Sequence, residues 1–90
     1  MALYALDARD GVKAKLKKLE RKNQTQLQII RNKINHILED PYRFKPLRGD
    51  RHGEREVHID KHFVLVYSID EKGKVVMLED YDHHNVIFGR

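Results

Sequence analysis

Apolar positions along this 90-residue chain follow a helical rhythm in the first half and a strand rhythm in the second. Residues 2–6 (Ala-Leu-Tyr-Ala-Leu) make a short apolar run and Asp7 is suited to cap a helix, so a brief strand feeding a helix is expected. Ala8, Val12, Leu16 and Leu19 then recur at spacings of 4, 4 and 3, leaving Lys13, Lys17 and Arg21 on the other side of an amphipathic helix. Asn23 ends that helix or caps the next. The second stripe is Leu27, Ile30, Ile34, Ile37 and Leu38, stopped by Asp40-Pro41. Two helices so closely joined are predicted to form an antiparallel hairpin.

Past Pro41 the chain becomes a connector rich in cations and turn formers, and then shows three β-like runs, Glu54–Ile59, His62–Ile69 and Lys74–Tyr81. Asp60-Lys61 and the stretch from Asp70 to Gly73 separate them as hairpin turns, which predicts an antiparallel meander. Phe63-Val64-Leu65-Val66-Tyr67 is apolar at every position, as a central strand covered on both faces should be. His83 to Phe88 are expected to form a short tail or a final extension of the strand. The order β-α-α-β-β-β predicts one α+β domain over residues 1–90. Its antiparallel sheet carries an N-terminal helical hairpin on one face and leaves the other partly open.

Composition narrows the chemistry. With no cysteine, a disulfide framework, a thiolate zinc site and a cysteine nucleophile are excluded. No membrane span or secretory signal is expected, and the localisation expected is cytoplasmic. Residues 1–48 carry 12 Lys/Arg against 5 Asp/Glu, a balance of +7, while residues 49–90 carry 6 against 9, a balance of −3. A basic half favours a polyanionic partner such as nucleic acid, although a solvated helix face would read the same.

Three features could carry chemistry. Arg43, Lys45, Arg48, Arg51 and Arg55 are interleaved with Tyr42 and Phe44, a mixture suited to phosphates and unpaired bases. The plainer reading has Tyr42, Phe44 and Leu47 covering an edge of the core. Five of the six histidines follow position 51, and His58, His62, His83 and His84 fall at strand ends. Cleaving RNA needs a base for the ribose 2′-hydroxyl, an acid for the departing 5′-oxygen and cations around the phosphate, and imidazole suits both proton transfers. His36 and His52 read as helix-surface and loop residues. Finally, Asp80, Asp82 and His84 would share one face of an extended strand, a weak metal-binding pattern whose commoner outcome is pairing with arginines.

The order of elements, together with Leu16-Lys17-Lys18-Leu19, Pro46-Leu47-Arg48-Gly49, the hairpin from His58 to Tyr67 and His84-Asn85-Val86-Ile87-Phe88-Gly89, resembles the RelE/ParE superfamily of type II toxin–antitoxin toxins. The YafQ-like ribonuclease branch is the nearest. That resemblance implies a compact RelE-like, microbial RNase-type fold, messenger RNA cleaved in the ribosomal A site without a metal or other cofactor, and a cognate antitoxin that silences the toxin. It also allows a toxin–antitoxin heterotetramer and implies no membrane partner.

Residue by residue, the resemblance puts His58 and His84 at the two catalytic histidine positions and Lys45 where a further active-site histidine stands. Phe63 replaces an aromatic near the site, and Phe88 matches one packing near the scissile nucleotide. His62 replaces an acid, and Glu56 matches an acidic position one strand earlier. These departures leave general acid and base unassigned. Arg48, Arg51 and Arg55 are expected to neutralise the phosphate, with His62, Phe63 and Phe88 as substrate contacts. Asp80 and Asp82 would weaken the phosphate-binding potential if they point into the site. The rivals are a ParE-like toxin that binds DNA gyrase, which usually lacks the histidine-rich sheet ends, and a plain RNA- or ribosome-binding module indifferent to the histidines.

Overall fold

The computed structural model describes residues 3–89. In chain order these form β1 (Ala5–Ala8), α1 (Asp10–Lys22), α2 (Gln24–Glu39), β2 (Lys45–Pro46), a 3-10 turn at Gly49–Arg51, β3 (Glu54–Ile59), β4 (Phe63–Asp70), β5 (Val75–His83) and α3 (His84–Ile87). The sheet order is β1-β5-β4-β3-β2. The expected meander is present and antiparallel. At its end β1 joins β5 in parallel, so the complete sheet is mixed rather than antiparallel throughout. The connection from β1 to its neighbour runs through the whole chain, which frees it from the antiparallel geometry of a hairpin.

That parallel pairing also moves the start of α1. Asp7 and Ala8 pair with Met77 and Leu78, so they lie in the strand, and Arg9 rather than Asp7 is the residue preceding the helix. Of the expected strand at 2–6, Ala2 lies outside the described residues. Val12 is buried, Leu16 and Leu19 are half-buried, and Lys13, Lys17 and Lys18 are outside, while Lys15 is half-buried against β5. Asn23 does both jobs expected of it: its N–H donates to the Leu19 carbonyl, and its side-chain oxygen accepts from the Gln26 N–H at 2.9 Å. In α2, Leu27, Ile30, Ile34 and Ile37 are buried, as the stripe predicts.

Val64, Leu65, Val66 and Tyr67 of β4 are completely buried. Alternation sends Leu65 and Tyr67 into the main core beneath the helices, while Val64 and Val66 point to the opposite face. On that face they pack with Ile87 of α3, Leu47 and Phe88. The tail is therefore a one-turn helix folded back as a second cover, not a continuation of the strand. A β-bulge in β5 between the partners of Val66 and Tyr67, which are Asp80 and Leu78, leaves Glu79 as the extra residue. It shifts the alternation so that Tyr81 rejoins the helix-side core after Val76 and Leu78.

The connector is anchored by hydrogen bonds to backbone. Tyr67 donates its hydroxyl to the Pro41 carbonyl at 2.6 Å, and burial pushes that hydroxyl up to about 12, so it remains a donor. Arg55 donates to the carbonyls of Tyr42 and Phe44 at 3.1 and 2.7 Å and lies over the Tyr42 ring. Phe44 packs against the main core and Leu47 against the cluster on the other face, as the plainer reading holds, whereas Tyr42 is exposed and does not cover the core. Pro46 is tolerated in β2 because the strand is two residues long and lies at the sheet edge.

At the far end of the sheet, Glu71 accepts from the hydroxyls of Tyr4 and Tyr42, each at 2.7 Å, and pairs with Lys74. The hydrogen bonds from Lys74, Tyr42 and Tyr4 hold its carboxyl down to about 2. A depressed folded value stabilises the fold above the ordinary carboxylate range, and that contribution fades as pH falls through the folded value. Native chain and Glu71→Gln, compared by urea unfolding from pH 6 down to pH 2.5, should therefore differ most near pH 6 and converge toward acid. A gap that stays constant would show that the cluster does not stabilise the fold through ionised Glu71.

Candidate functional site

The face opposite the helices contains an open groove of about 940 Å³. One wall is the connector, with Lys45, Leu47, Arg48 and Arg51, and the other is α3 with the residue after it, contributing His84, Ile87 and Phe88. Its floor is set by register. Glu54, Glu56 and His58 alternate along β3 on the same side as Val64 and Val66, whose positions they face or adjoin. Lys45 is paired with Glu56 across the β2–β3 edge.

Glu56 is the carboxylate most removed from water, with 7% of its side chain exposed. Its Oε2 lies 3.8 Å from Lys45 Nζ and its Oε1 lies 3.6 Å from His58 Nε2. Burying an anion is tolerable only beside a compensating charge or donor, and these two groups supply that compensation from opposite sides. Lys45 itself is 76% exposed, so its ammonium can follow either Glu56 or an anion entering the groove. The His58 and His84 rings are stacked with centroids 6.2 Å apart and planes 19° apart. The ring of Phe88, the residue that caps the end of α3, lies 4.8 Å from that of His84.

Several contacts fix His84. Its backbone N–H donates to the His62 carbonyl at 2.7 Å, and the His83 ring accepts from the Asn85 N–H at 3.2 Å to start the helix. Ile87, three residues along, is driven against Val64 and Val66. The site thus couples one apolar anchor to one imidazole.

Five of the nine residues expected from sequence line the groove: Lys45, Arg48, Arg51, His84 and Phe88. His58 adjoins it through its contacts with His84 and Glu56. The other three lie elsewhere. Arg55 is paired with Tyr67 on the helix-side face and holds the connector backbone. Phe63 stacks on Tyr81 at 5.5 Å and packs against the helix-side core. His62 belongs to the three-residue turn before β4, not to the strand, and stacks on His83 at 5.7 Å.

Asp80 and Asp82 do lie on the groove face, opposite Val66 and Val64. Their negative charge is met by cations: Asp82 by Lys15 at 2.8 Å, and Asp80 by Lys15 at 3.7 Å and Arg51 at 3.4 Å. The hydrogen bond from Lys15 holds the Asp82 carboxyl below the ordinary range, and the same bond raises the Lys15 ammonium. His84 has left the strand for α3, so the strand alternation that would have joined it to these aspartates is broken. Among the described residues no three His, Asp or Glu side chains are grouped to hold a metal ion.

Sequence alternation places Glu56 beside His58, yet its burial could not be read without β2 and the α3 cover. Ile87 was likewise hidden, because a lone apolar residue in a polar tail has no period.

A family of bacterial toxins of type II toxin–antitoxin systems, YafQ, matches residues 4–89. The chain belongs to that family. A protein of Methanocaldococcus jannaschii bearing the name RelE4 as a candidate toxin is 35% identical over 86 residues, covering 96% of this toxin and 92% of its own length. An uncharacterized protein of Methanosarcina mazei is 50% identical over 86 residues, 96% of this toxin and 100% of that chain. The toxin also resembles a chain in the Escherichia coli DinJ–YafQ toxin–antitoxin complex, with a TM-score of 0.73, 19% identity and coverage of 97% and 99%, a likeness of fold. Among the described residues no helix is long and apolar enough to cross a membrane.

Because Ile87 anchors α3 through a small cluster, Ile87→Ala should cost on the order of 2 kcal/mol and loosen α3 first. Hydrogen exchange at the Phe88 amide, which donates to the His84 carbonyl, should accelerate far more than at Leu65 or Tyr67. Equal acceleration at all three would mean that α3 is not an independent unit.

Proposed function

We propose that this toxin is a ribosome-dependent endoribonuclease that cuts messenger RNA in the A site by metal-free acid–base catalysis. The observation carrying this reading is the His58–His84 pair, two imidazoles 6.2 Å apart beside a groove walled by Lys45, Arg48 and Arg51. Neutral imidazole removes the proton of the ribose 2′-hydroxyl. The resulting oxygen attacks phosphorus, the bond to the 5′-oxygen breaks, and imidazolium protonates the leaving oxygen. The products are a 2′,3′-cyclic phosphate and a free 5′-hydroxyl, so no cofactor is required to balance the step.

The surrounding groups fit supporting roles. Lys45, Arg48 and Arg51 stabilise the charge that builds on the phosphate oxygens. Phe88 offers a ring face to the base beside the scissile bond. Glu56, with Oε1 3.6 Å from His58 Nε2, places a carboxylate beside that imidazole as a second neighbour of the ring. Arg55 and Phe63 serve this chemistry only by holding the scaffold, and His62 only through its carbonyl bond to the His84 backbone. The ribosome enters through the resemblance to the YafQ-like branch. The basic outer face of α1 gives that reading an electrostatic footing, since clustered lysines bind polyanions.

The partner that silences the toxin is a cognate antitoxin, in keeping with the DinJ–YafQ complex. Its seat is a concavity between the helices, floored by Leu16, Leu27, Ile30 and Ile34 and rimmed by three cations, Lys13, Lys17 and Arg31, and one carboxylate, Glu20. An apolar floor with a basic rim fits an amphipathic acidic segment that folds as it binds.

Two measurements test the chemistry. His58→Ala and His84→Ala should each lower RNA cleavage by about a hundredfold or more while ribosome binding persists, and His36→Ala, on the exposed side of α2, should not. With Mg2+ held constant to keep the ribosome intact, sulfur placed at a non-bridging oxygen of the scissile phosphate should give a slowing that Mn2+ or Cd2+ does not rescue. Parallel loss of binding and cleavage would make the histidines contact residues, and rescue by a thiophilic ion would replace the metal-free mechanism. For the partner, association of the antitoxin should slow when Lys13, Lys17 and Arg31 are changed to Gln, with a weaker dependence on salt. Unchanged rates and salt slopes would remove this rim from the encounter.

A further inference from the structure

We propose that Asp80 is a built-in competitor for the phosphate-binding guanidinium of Arg51, and that Lys15 of α1 is the positioning residue that lets Arg51 go. This rests on the reading that the groove takes RNA phosphates.

The two arms of Arg51 are held unequally. Nη1 donates to Glu54 Oε1 at 2.9 Å, while Nη2 reaches Asp80 Oδ2 at 3.4 Å, at the outer end of the hydrogen-bonding range. Glu54 therefore keeps the guanidinium at the groove wall, and the Nη2 arm is the one an incoming phosphate oxygen can take. A resting carboxylate occupies that arm, so every phosphate bound there must exchange with Asp80.

What becomes of Asp80 decides how costly that exchange is. Its Oδ1 accepts from the Tyr81 N–H at 2.9 Å and lies 3.7 Å from Lys15 Nζ. Lys15 is fixed where it stands. It donates to the Tyr81 carbonyl at 2.9 Å and to Asp82 Oδ2 at 2.8 Å, along the edge of β5 beyond the last residue paired with β1. Asp80 is thus shared between cations from two elements, and when Arg51 turns to phosphate it keeps a counter-charge. Without Lys15, Arg51 would be its sole cation and the carboxylate would hold it harder.

The groove face carries Glu54, Glu56, Asp80 and Asp82, so its cations are largely compensated at rest. Arg48, among the described residues, pairs with no carboxylate. A lone anion gains little from such a surface. An RNA backbone that engages Arg48 first and then exchanges at Arg51 gains more, which favours polyanions over single phosphates.

The test is a titration with inorganic phosphate followed on the Arg51 guanidinium signals by NMR, for the native chain, Asp80→Asn, Lys15→Met and the double variant. Both ion pairs are partly exposed, so the effects are modest. Asp80→Asn should tighten phosphate binding about threefold to tenfold, and Lys15→Met should weaken it by a similar factor. In the Asp80→Asn background Lys15→Met should have no further effect, because Lys15 acts through Asp80. Lys15→Arg should restore the native value. With RNA as substrate the same variants should shift KM rather than kcat.

Equal effects of Lys15→Met in both backgrounds, matched by Lys17→Met on the same helix, would reduce the result to long-range charge and overturn the proposal. Unchanged phosphate binding in Asp80→Asn, with RNA still cleaved by the native chain, would overturn it while leaving the nuclease reading intact. The expected phosphate series in a chain that cleaves no RNA would do the reverse.

Discussion

A central strand that is apolar on every side has no solvent-facing solution, and the architecture follows from that constraint. Four consecutive residues of β4, from Val64 to Tyr67, are fully buried. Leu65 and Tyr67 are covered by the helical hairpin, which supplies Ile30, Ile34 and Ile37. Val64 and Val66 require a separate cover, and the chain has little left to make it from. Leu47 from the connector and Ile87 from the last turn of helix provide it. Burying those aliphatic groups stabilises the fold by roughly 1.5–3 kcal/mol for each side chain taken fully out of water.

The same act of burial assembles the site. The residues that cover Val64 and Val66 belong to the segments bearing the groove's cations and His84, so packing the second face brings Arg48 and His84 to opposite walls. Register then adds the floor. An edge strand of two residues puts Lys45 across from Glu56, and alternation puts Glu56 beside His58. Neither histidine of the pair has to be held by a long loop of its own. Precision at His58 and Glu56 is inherited from the sheet, while His84 depends on a single helical turn with one apolar anchor. The site therefore has a rigid half and a softer half.

Much of this was legible in the chain itself because apolar periodicity reports burial directly. The stripes at Leu27, Ile30, Ile34 and Ile37 and the unbroken run at Val64–Tyr67 fix the helix face and the central strand with no further information. The features that escaped are those in which a distant partner overrides a local signal. Ala8 fits the stripe of α1, yet it is drawn into β1 by pairing with Leu78, some seventy residues away. Lys45-Pro46 is too short to show alternation. The bulge at Glu79 slips the period of β5, and His84 leaves the strand because Ile87 gains more by packing on Val64 and Val66 than by extending it. Arg55 and Phe63 look like site residues in a list of cations and aromatics, but the parity of their strand positions sends both to the helix side.

Charge in this site is arranged differently from what the cation-rich connector suggests. Counting arginines and lysines predicts a strongly positive cradle, whereas register places four carboxylates from β3 and β5 on the same face and pairs most of the cations with them. Such compensation lets the face fold without accumulating like charge, and an anion that approaches Lys45 or Arg51 meets a cation already paired with a carboxylate. Glu56 and Asp80 sit at the two limits of this arrangement. Glu56 is buried and flanked by a lysine and an imidazole, so its charge is committed to the interior of the site. Asp80 is half-exposed and shared between an arginine of the groove and a lysine of α1, so its charge can be redistributed. The two carboxylates thus differ through their exposure and their neighbours: one is enclosed between a lysine and an imidazole, and the other is shared between two cations and, in the proposed exchange, gives one of them up.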